Sequence, residues 1–462
     1  MPPPRTLPDA ISDSLAEQTR GELIEPTDER YDEARSVWNA KIDAYPGAIL
    51  TCTGSADVIA AVDIATDHEL PITVKSGGHG INGHAICDDG IVLDMTEMNA
   101  VRVDPEERTA WVQGGATWGD LNHETHAFGL DTVGMSDPEV GVAGFTLGGG
   151  MGALSRKHGL AIDLLREVDV VTADGELVHA SEDHHPDLFW ALRGGAGNFG
   201  IVTGFEFDCK PVETEFLQAL FVHPIDAARE VIQFYQDFAS DAPPEIYAGV
   251  GITQISSDSP LPDELHDETV ALLLTNYLGD VETGQEVIEP ARSFGDPLLE
   301  MVRPTGMEAM ATDLLDSGMR NHWVNQYLVD LSDEAIDAFV ERAIPLPCPG
   351  TVVNFIALGG AINRIDASAT AYPHREANHL FELVTQWREP SRDEELVTWA
   401  REFRDAMAQY GTGGEYVNNQ TDDGPDRVEA AYGANYDRLI EVKETWDSDN
   451  LFGRHFEVAE GS

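Results

Sequence analysis

The sequence predicts an α+β protein with at least two domains. Its 462 residues exceed the usual size of one domain, which is roughly 100–200 residues. From Ala48 onward, short apolar runs typical of strands alternate with stretches whose apolar residues recur at helical spacing. Near residues 209–212 the pattern changes to longer amphipathic helices between apolar strand-like runs. We therefore expect a second part with a sheet of its own, antiparallel and covered by helices.

The first part is predicted to consist of short helices and strands. Residues 1–40 are a polar lead-in with one helical stretch at 30–39, and ADVIAAVDIATDH predicts the next helix. Strands are predicted by AILTC, PITVKSGG, IVLDM and AWVQGG. TWGDLNHETHAFG predicts a helix that ends at Gly129. VDVVTADGELVHA predicts a hairpin, because Asp-Gly is a strong turn signal. HPDLFWALRGG then predicts a helix and FGIVTGFEFDCKPV a strand.

The second part and the tail have their own signals. AAREVIQFYQDFAS predicts a helix, and TVALLLTNYL and TVVNFIALGG predict strands. From about Gly411 the chain is rich in aromatic residues and Asn, and it closes with a predicted helix, YDRLIEVKETW. These patterns predict three segments: 1–212 with a core of about 43–212, then 213–405, then 406–462.

The charge of the chain is extreme. There are 83 Asp and Glu against 28 Lys and Arg, giving a formal net charge of −55. The carboxylates are spread along the whole chain, so the folded state repels itself strongly in dilute salt. Molar salt shortens the Debye length to about 3 Å and screens that repulsion. We therefore predict a salt-adapted protein of the halophilic archaeal type. Such a surface disfavours nucleic acid and anionic membranes as partners.

Cysteine usage and the N-terminus predict a cytoplasmic protein. The four cysteines (Cys52, Cys87, Cys209 and Cys348) are too few and too scattered for a disulfide scaffold or a CxxC zinc site. The first residues lack a basic segment followed by an apolar one, so we expect no secretory signal. There is also no apolar run of 18 residues.

Three glycine-rich segments predict a large bound cofactor. VKSGGHGINGH at 74–84 can approach a ligand with its main chain and present successive N–H groups to an anion. GVAGFTLGGGMGALSRKHGL at 141–160 has too many glycines for a regular helix or strand interior. RGGAGNFG at 193–200 contains GxGxxG, but it follows a helix and precedes a strand, so it is not a Rossmann motif. Cofactors of the size of FAD or NAD(P) need this much contact.

The motifs together resemble the berberine bridge enzyme-like oxidases, within the flavoproteins of the p-cresol methylhydroxylase and vanillyl-alcohol oxidase type. The resemblance covers YDEARSVWN, the GGH loop, TLGGGMGALSRKHGLAID, HPDLFWALRGGAGNFGIVTGFEF, GGAINRIDASATAYPHR and the tail from YVNNQTD. It is weaker between about 213 and 350. The resemblance implies a two-subdomain FAD-binding fold with a separate substrate domain.

The resemblance also implies how the flavin is attached. The family's GGH histidine carries the flavin through its 8α-methyl carbon, and the matching residue is His79. Many relatives add a second bond from a cysteine, and Asp137 occupies that position here. We therefore expect one covalent bond. The other cofactor contacts that the resemblance implies are Lys75, Ser76, Gly77, Gly78, Gly80, Asn82, Gly83, Asp137, Gly141, Gly144, Gly148, Gly149, Gly150, Gly152, Leu154, Gly159, Ile201, Val202, Tyr416 and Asn418.

The tail supplies the expected proton acceptor. The first Tyr of the family's Y-x-N-Y motif removes the substrate's hydroxyl proton, and it matches Tyr416. A tyrosine with its usual pKa near 10 needs a cation or hydrogen bonds that favour phenolate. Asn418 matches the family's Asn, while Asn419 replaces the second Tyr.

Two further clusters have alternative interpretations. In the predicted strand GGAINRI, Arg364 replaces a Glu of the alkaloid-forming members and cannot act as a base, so it and Asn363 are candidates to bind substrate or form surface contacts. The histidines His179, His184 and His185 could suggest zinc. We favour a helix start there, with Asp183 and Asp187 as cap or first-turn charges, and expect no metal.

The predicted function is oxidation of a hydroxyl-bearing sugar, alcohol or aromatic compound, with hydride passing to covalently bound FAD. The electron acceptor is O2 or another compound, and the oligomeric state is left open. Two alternatives remain: a flavin reductase of the same fold that uses NAD(P)H, and a flavin-binding protein without enzymatic activity.

Overall fold

A computed structural model describes residues 6–212, 215–257, 259–306, 317–421 and 424–453. Strands in it are β1 (Glu22–Ile24), β2 (Ala48–Thr51), β3 (Ile72–Lys75), β4 (Ile91–Asp94), β5 (Val101–Asp104), β6 (Thr109–Gln113), β7 (Leu130–Asp131), β8 (Leu165–Val171), β9 (Leu177–Ser181), β10 (Ile201–Asp208), β11 (Lys210–Pro211), β12 (Glu215–Pro224), β13 (Ile246–Gln254), β14 (Thr269–Tyr277), β15 (Leu299–Gly306), β16 (Arg320–Leu328), β17 (Gly350–Ala357) and β18 (His379–Trp387).

Helices in the same ranges are α1 (Asp9–Gln18), α2 (Tyr31–Ala34), α3 (Ser55–Asp67), α4 (Trp118–His126), α5 (Val142–Leu147), α6 (Ser155–His158), α7 (Pro186–Leu192), α8 (Ala228–Asp241), α9 (Val281–Val287), α10 (Glu289–Arg292), α11 (Asp333–Ala343), α12 (Asp393–Met407), α13 (Pro425–Tyr432) and α14 (Tyr436–Trp446). Within these ranges, no helix combines the length and apolar character needed to cross a membrane.

Two larger sheets and a two-stranded sheet of β7 and β11 form the described part of the first half of the molecule. The four-stranded sheet has the order β1-β2-β4-β3, with β4 parallel to both β2 and β3. Helix α3 covers it because Val58, Ala61, Val62 and Ala65 form one apolar face and are fully buried. The five-stranded sheet, β5-β6-β10-β8-β9, is antiparallel and packs on a separate core with α4, α5, α7 and α14.

The second half is built on one antiparallel sheet of seven strands, in the order β15-β12-β14-β13-β17-β18-β16. Helices α8, α11 and α12 contribute apolar side chains to the core on one face, where Phe339, Phe355, Phe381 and Phe403 cluster. The opposite face carries Asn325, Glu382 and Asn354, which lie side by side across β16, β18 and β17. This is the α+β architecture expected from the sequence.

Three local predictions were wrong. The helix predicted at 30–39 is confined to Tyr31–Ala34. GGAINRI is a 3-10 turn and not a strand, because Gly359 and Gly360 adopt φ values of 89° and 62°, which strands exclude. Asp183 does not cap α7: His185 is the N-cap residue, in a left-handed conformation and without a side-chain capping bond.

Candidate active site

The first two glycine segments pack against each other through their main chains. A Cβ on Gly77 would lie 2.7 Å from the carbonyl oxygen of Glu139, and one on Gly141 would lie 2.6 Å from Ser76 Oγ. Gly78 and Gly83 have φ values of 70° and 81°, which side chains rarely permit. Because only glycine fits these positions, the loop after β3 lies directly on the turn before α5.

This pair of loops leaves hydrogen-bonding capacity that an anionic ligand can use. The buried hydroxyl of Ser76 has no hydrogen-bond partner among the described residues, and the buried hydroxyl of Thr146 has none either. A buried polar group without a partner costs free energy. Main-chain and hydroxyl donors beside glycines suit the phosphates of a dinucleotide, so the residues present fit FAD.

His79 lies in the first loop with its ring half-buried. The indole of Trp38 stacks on it, with ring centroids 5.7 Å apart and planes 20° apart. Burial lowers the pKa of His79, and the carboxylates of Asp137 and Glu139 oppose that change. Burial therefore favours the neutral imidazole, which is the form that can act as a nucleophile.

The side chain of Lys75, which was expected to contact the cofactor, binds other parts of the protein. Its ammonium donates to the carbonyl of Ala34 at 2.9 Å and lies 3.5 Å from Asp94 Oδ2. The side chain therefore ties the N-terminal segment to β3. Asn82 is likewise used locally, since its Oδ1 accepts from the main chain of His84.

The second glycine segment brings the tail into the site. After α5, Gly149 and Gly150 adopt φ values of 124° and 76°. A Cβ on Gly148 would overlap the side-chain amide of Asn418, and one on Gly149 would lie 3.5 Å from the ring of Tyr416. The tail residues therefore lie directly on this segment.

Tyr416 is buried, and its hydroxyl oxygen is held by N–H donors. It accepts from the main chain of Met151 at 3.0 Å and from Asn418 Nδ2 at 3.0 Å. Asn418 donates its other amide hydrogen to the carbonyl of Phe145 at 2.9 Å, which fixes its orientation. Burial raises the pKa of Tyr416, and these N–H groups oppose the rise. Donors to the oxygen stabilise phenolate, but burial outweighs them, so the pKa of Tyr416 stays above its ordinary value.

The second-half sheet holds the tail in place. Asn325 on β16 accepts from the main-chain N–H of Tyr416 at 2.6 Å and donates to its carbonyl at 3.0 Å. The same amide also donates to the carbonyl of Asn419 at 3.0 Å. One side chain thus fixes the backbone on both sides of the motif.

Glu382 is a residue that the sequence analysis did not identify. Its carboxylate accepts from the Asn419 amide and from Asn354. Burial raises its pKa to about 7. The sequence does contain a sign of its role, because Glu382 is the only charged residue between Leu380 and Trp387, in an otherwise uncharged strand. A half-buried carboxyl whose pKa lies near neutrality is a candidate acid or base.

The remaining residues that were predicted to contact the cofactor lie in several different surroundings. Leu154 is buried beside Val133 and Phe216, while Ile201 and Val202 place their side chains in two different cores. These three residues leave only main-chain groups for a ligand. A Cβ on Gly152 would overlap the carbonyl of Gly134. Gly80 lies in the first loop, Gly144 lies within α5, and Gly159 is the C-cap residue of α6.

The two residues for which surface contacts were the alternative to substrate binding lie at the surface. Asn363 and Arg364 are exposed on the 3-10 turn, and Asn363 donates to Asn378 at 3.2 Å. The glycines that end β17 divert the chain, so neither side chain joins Tyr416 and Glu382.

The cysteines lie in the interior of the protein, whereas the histidine cluster lies at its surface. All four cysteines are buried as free thiols, and Asp137 lies on the turn that packs on Gly77. His179 hydrogen-bonds to Asp169 and Glu167 on the outer surface of the five-stranded sheet. Within the described ranges, no group of three or more His, Cys, Asp or Glu side chains is arranged to hold a metal ion.

Comparisons with known families agree with these placements. A family described as "FAD binding domain" matches residues 46–181, which include both glycine loops. A second, described as "Berberine and berberine like", matches residues 415–456, which include Tyr416 and Asn418.

Individual relatives cover nearly the whole chain. (R)-6-hydroxynicotine oxidase from Paenarthrobacter nicotinovorans is 28% identical and covers 96% of this chain and 98% of its own. Chitooligosaccharide oxidase from Gibberella zeae is 27% identical, covering 92% and 91%. The crystal structure of 6-hydroxy-D-nicotine oxidase from Arthrobacter nicotinovorans superposes with a TM-score of 0.84 at 26% identity, covering 96% and 98%.

Proposed function

We propose that this chain is a berberine bridge enzyme-like FAD-linked oxidoreductase and that it oxidises a hydroxyl-bearing small molecule with Tyr416 as the base. The observation that carries the proposal is the buried Tyr416 oxygen, held by two N–H donors beside the glycine segment of the FAD-binding domain. Relatives named as oxidases support oxidation of a small molecule, and the relative named for chitooligosaccharides supports a hydroxyl-bearing substrate.

The glycine loops hold the cofactor in this proposal. The main chains of residues 76–83 and 141–152, with the hydroxyl of Ser76, bind its phosphates, and His79 forms the single covalent bond. When bound, FAD supplies an acceptor for the hydride of the substrate. The three segments predicted from the sequence have different roles. Residues 1–212 bind FAD, residues 213–405 bind substrate, and residues 406–462 return to the FAD-binding domain. The seven-stranded sheet that begins at Glu215 supports that division.

Tyr416 takes up the proton of the substrate's hydroxyl group as the carbon gives up hydride. Two of the positions around its oxygen are filled by N–H groups of Met151 and Asn418. The phenol proton, or the free lone pair of the phenolate, is therefore left to face the substrate. Preorganised donors of this kind stabilise the phenolate that must be present before the proton is transferred, and they need not rearrange during the step.

Glu382 acts as a second proton-exchanging group. It neighbours the motif through Asn419 and sits beside Asn325, which clamps Tyr416. A pKa near neutrality suits a group that both accepts and returns protons. We propose that it binds the reacting hydroxyl or receives the proton that Tyr416 releases.

Anaerobic bleaching of the purified yellow protein tests the reaction class. A panel of sugars, alcohols and phenolic compounds is added in molar KCl, and flavin reduction is followed by absorbance. We expect bleaching by at least one hydroxyl compound, and peroxide after air is admitted identifies O2 as an acceptor. Bleaching by NAD(P)H alone would instead support the reductase, and bleaching by no compound would support a protein that only binds flavin.

A further inference from the structure

Residues 34–40 form a segment that the proposed mechanism does not use. This segment lies along the loop after β3 that carries His79 (residues 76–83, the His79 loop). The main-chain N–H of Trp38 donates to the carbonyl of Gly78 at 3.0 Å, and Asn39 Nδ2 donates to the carbonyl of Ile81 at 2.7 Å. With the bond from Lys75 to Ala34, three hydrogen bonds join the segment to the loop. The position of Trp38 is therefore set by the loop that it covers.

The same segment is also fixed to the second-half sheet. Asn39 is fully buried and exchanges two hydrogen bonds with the main chain of Asn321, at 2.9 Å and 3.2 Å. Ala40 donates to the carbonyl of Met319 at 3.0 Å. The Trp38 ring meets the edge of Trp323 with centroids 6.1 Å apart. Trp38 is thus held from both sides.

The stack with Trp38 is a packing contact that restrains the plane of the His79 ring. Among the described residues, no hydrogen bond to the imidazole nitrogens of His79 is found, whereas the indole lies nearly parallel to the ring. An imidazole without such a partner is free to rotate about its side-chain bonds unless packing stops it. Covalent bond formation is sensitive to this freedom, because a displacement of about 1 Å can cost roughly 100-fold in rate.

We propose that Trp38 is a positioning residue for flavin attachment: its indole holds the His79 imidazole so that a ring nitrogen faces the 8α carbon of the cofactor. The inference rests on the proposed bond through His79. In that reaction a bond forms between the imidazole nitrogen and the 8α carbon. One hydrogen leaves the methyl group and one leaves the imidazole nitrogen, and both, with two electrons, reduce the flavin. Dioxygen reoxidises it and is released as hydrogen peroxide.

Trp38→Leu and Trp38→Phe test the proposal in apoprotein incubated with FAD and air in molar KCl. Covalent incorporation is measured as flavin fluorescence that survives acid precipitation, divided by the FAD bound before precipitation. That ratio counts only folded, FAD-binding protein. We expect Trp38→Leu to bind FAD but to incorporate it roughly 10- to 100-fold more slowly, and Trp38→Phe to stay close to wild type because phenyl can still stack.

Two controls separate this inference from the proposed function. Trp399→Leu removes a half-buried tryptophan from the core beside Phe403, so it reports the general cost of losing an indole. His79→Ala removes the proposed attachment site. Equal incorporation rates in Trp38→Leu and wild type, or equally slow rates in both Trp38 variants, would overturn the positioning role alone. Wild-type protein that releases all its flavin on precipitation, or His79→Ala protein that retains it, would overturn the attachment as well.

Discussion

At the scale of single residues, the environment of the hydroxyl oxygen separates Tyr416 from its neighbour Tyr372. Both rings lie beside Gly149, but Tyr372 donates its proton to the hydroxyl of Tyr327 at 2.8 Å, whereas Tyr416 accepts from two N–H groups. Only Tyr416 is therefore arranged as a proton acceptor. This difference provides a matched pair of variants.

We expect Tyr416→Phe to slow flavin reduction by roughly 100- to 10,000-fold, which is the usual contribution of a positioned base. Stopped-flow absorbance under anaerobic conditions measures the rate, with a substrate found in the bleaching panel. Tyr372→Phe should reduce flavin at close to the wild-type rate. If the two variants are slowed equally, the loss reflects packing around Gly149, and Tyr416 is not the base.

Glu382 predicts a pH dependence of stability. Burial raises its pKa from 4.5 to about 7, so the folded apoprotein holds this proton more tightly than the unfolded chain does. The free energy of unfolding should therefore fall as pH rises from about 4.5 to about 7 and then level off. Relative to Glu382→Gln, the loss should reach up to about 3 kcal/mol.

Urea unfolding of the two apoproteins between pH 4.5 and 8.5 checks this prediction. The glutamine variant keeps the side-chain size and lacks the titrating group, so the difference between the curves isolates Glu382. Parallel curves across this range would mean that the carboxyl titrates at its ordinary pKa and is accessible to solvent.

The sequence predicted site residues unevenly for a physical reason. His79, Tyr416 and Asn418 stand in short motifs, so a local pattern suffices to select them. Glu382 acquires its character from Asn325 and Asn354 on neighbouring strands, and strand pairing is not visible in a single segment. For the same reason the sequence left open whether Arg364 lies at the site or at the surface, and the turn after β17 exposes it.

At the scale of elements, α14 is joined to the FAD-binding half by a buried ion pair. Lys443 is 1% exposed, and its ammonium contacts Asp447 Oδ2 at 2.5 Å and the carbonyl of Asn198 at 2.7 Å. Asp447 also accepts from the main-chain N–H groups of Leu451 and Phe452. The pair therefore fixes the end of the helix to the third glycine segment.

We expect Lys443→Met to lower the free energy of unfolding by about 3–5 kcal/mol, because it leaves the Asp447 carboxylate buried without its cation. Arg229→Met is the comparison, since Arg229 pairs with Asp333 and Asp337 on the surface, where salt screens the interaction. Denaturant unfolding in molar KCl measures both. If Arg229→Met lowers the free energy of unfolding as much as Lys443→Met does, burial is not the reason that the Lys443–Asp447 pair stabilises the protein.

The elements themselves were predicted best where a local signal decides. Helix α3 follows its apolar spacing, and the β8–β9 hairpin turns at Asp174-Gly175 with a φ of 71° at the glycine. The helix predicted at 30–39 failed because residues 34–40 form their hydrogen bonds with the His79 loop and with β16. Tertiary contacts there outweigh helical propensity.

At the scale of the whole molecule, the charge of −55 predicts a strong salt dependence. Repulsion among the carboxylates opposes the compact state, and molar salt shortens the Debye length to about 3 Å. We propose on this basis that the protein is adapted to high salt. The melting temperature should rise by tens of degrees between about 0.05 M and 2 M KCl, measured by differential scanning fluorimetry.

Tetramethylammonium chloride at matched ionic strength serves as the control. If screening is responsible, both salts should stabilise the protein to a similar extent. Stabilisation by KCl alone would indicate specific cation binding, and a melting temperature that does not change with salt would rule out the adaptation.

The hydrogen bond between Met151 and Tyr416 joins residues 265 positions apart. A nascent chain on the ribosome lacks this contact until residue 416 has been synthesised and has left the exit tunnel. The pocket can therefore close only after the second-half sheet has emerged. Cells that interrupt synthesis before residue 416 would release chains with both glycine loops and without the Tyr416 hydroxyl.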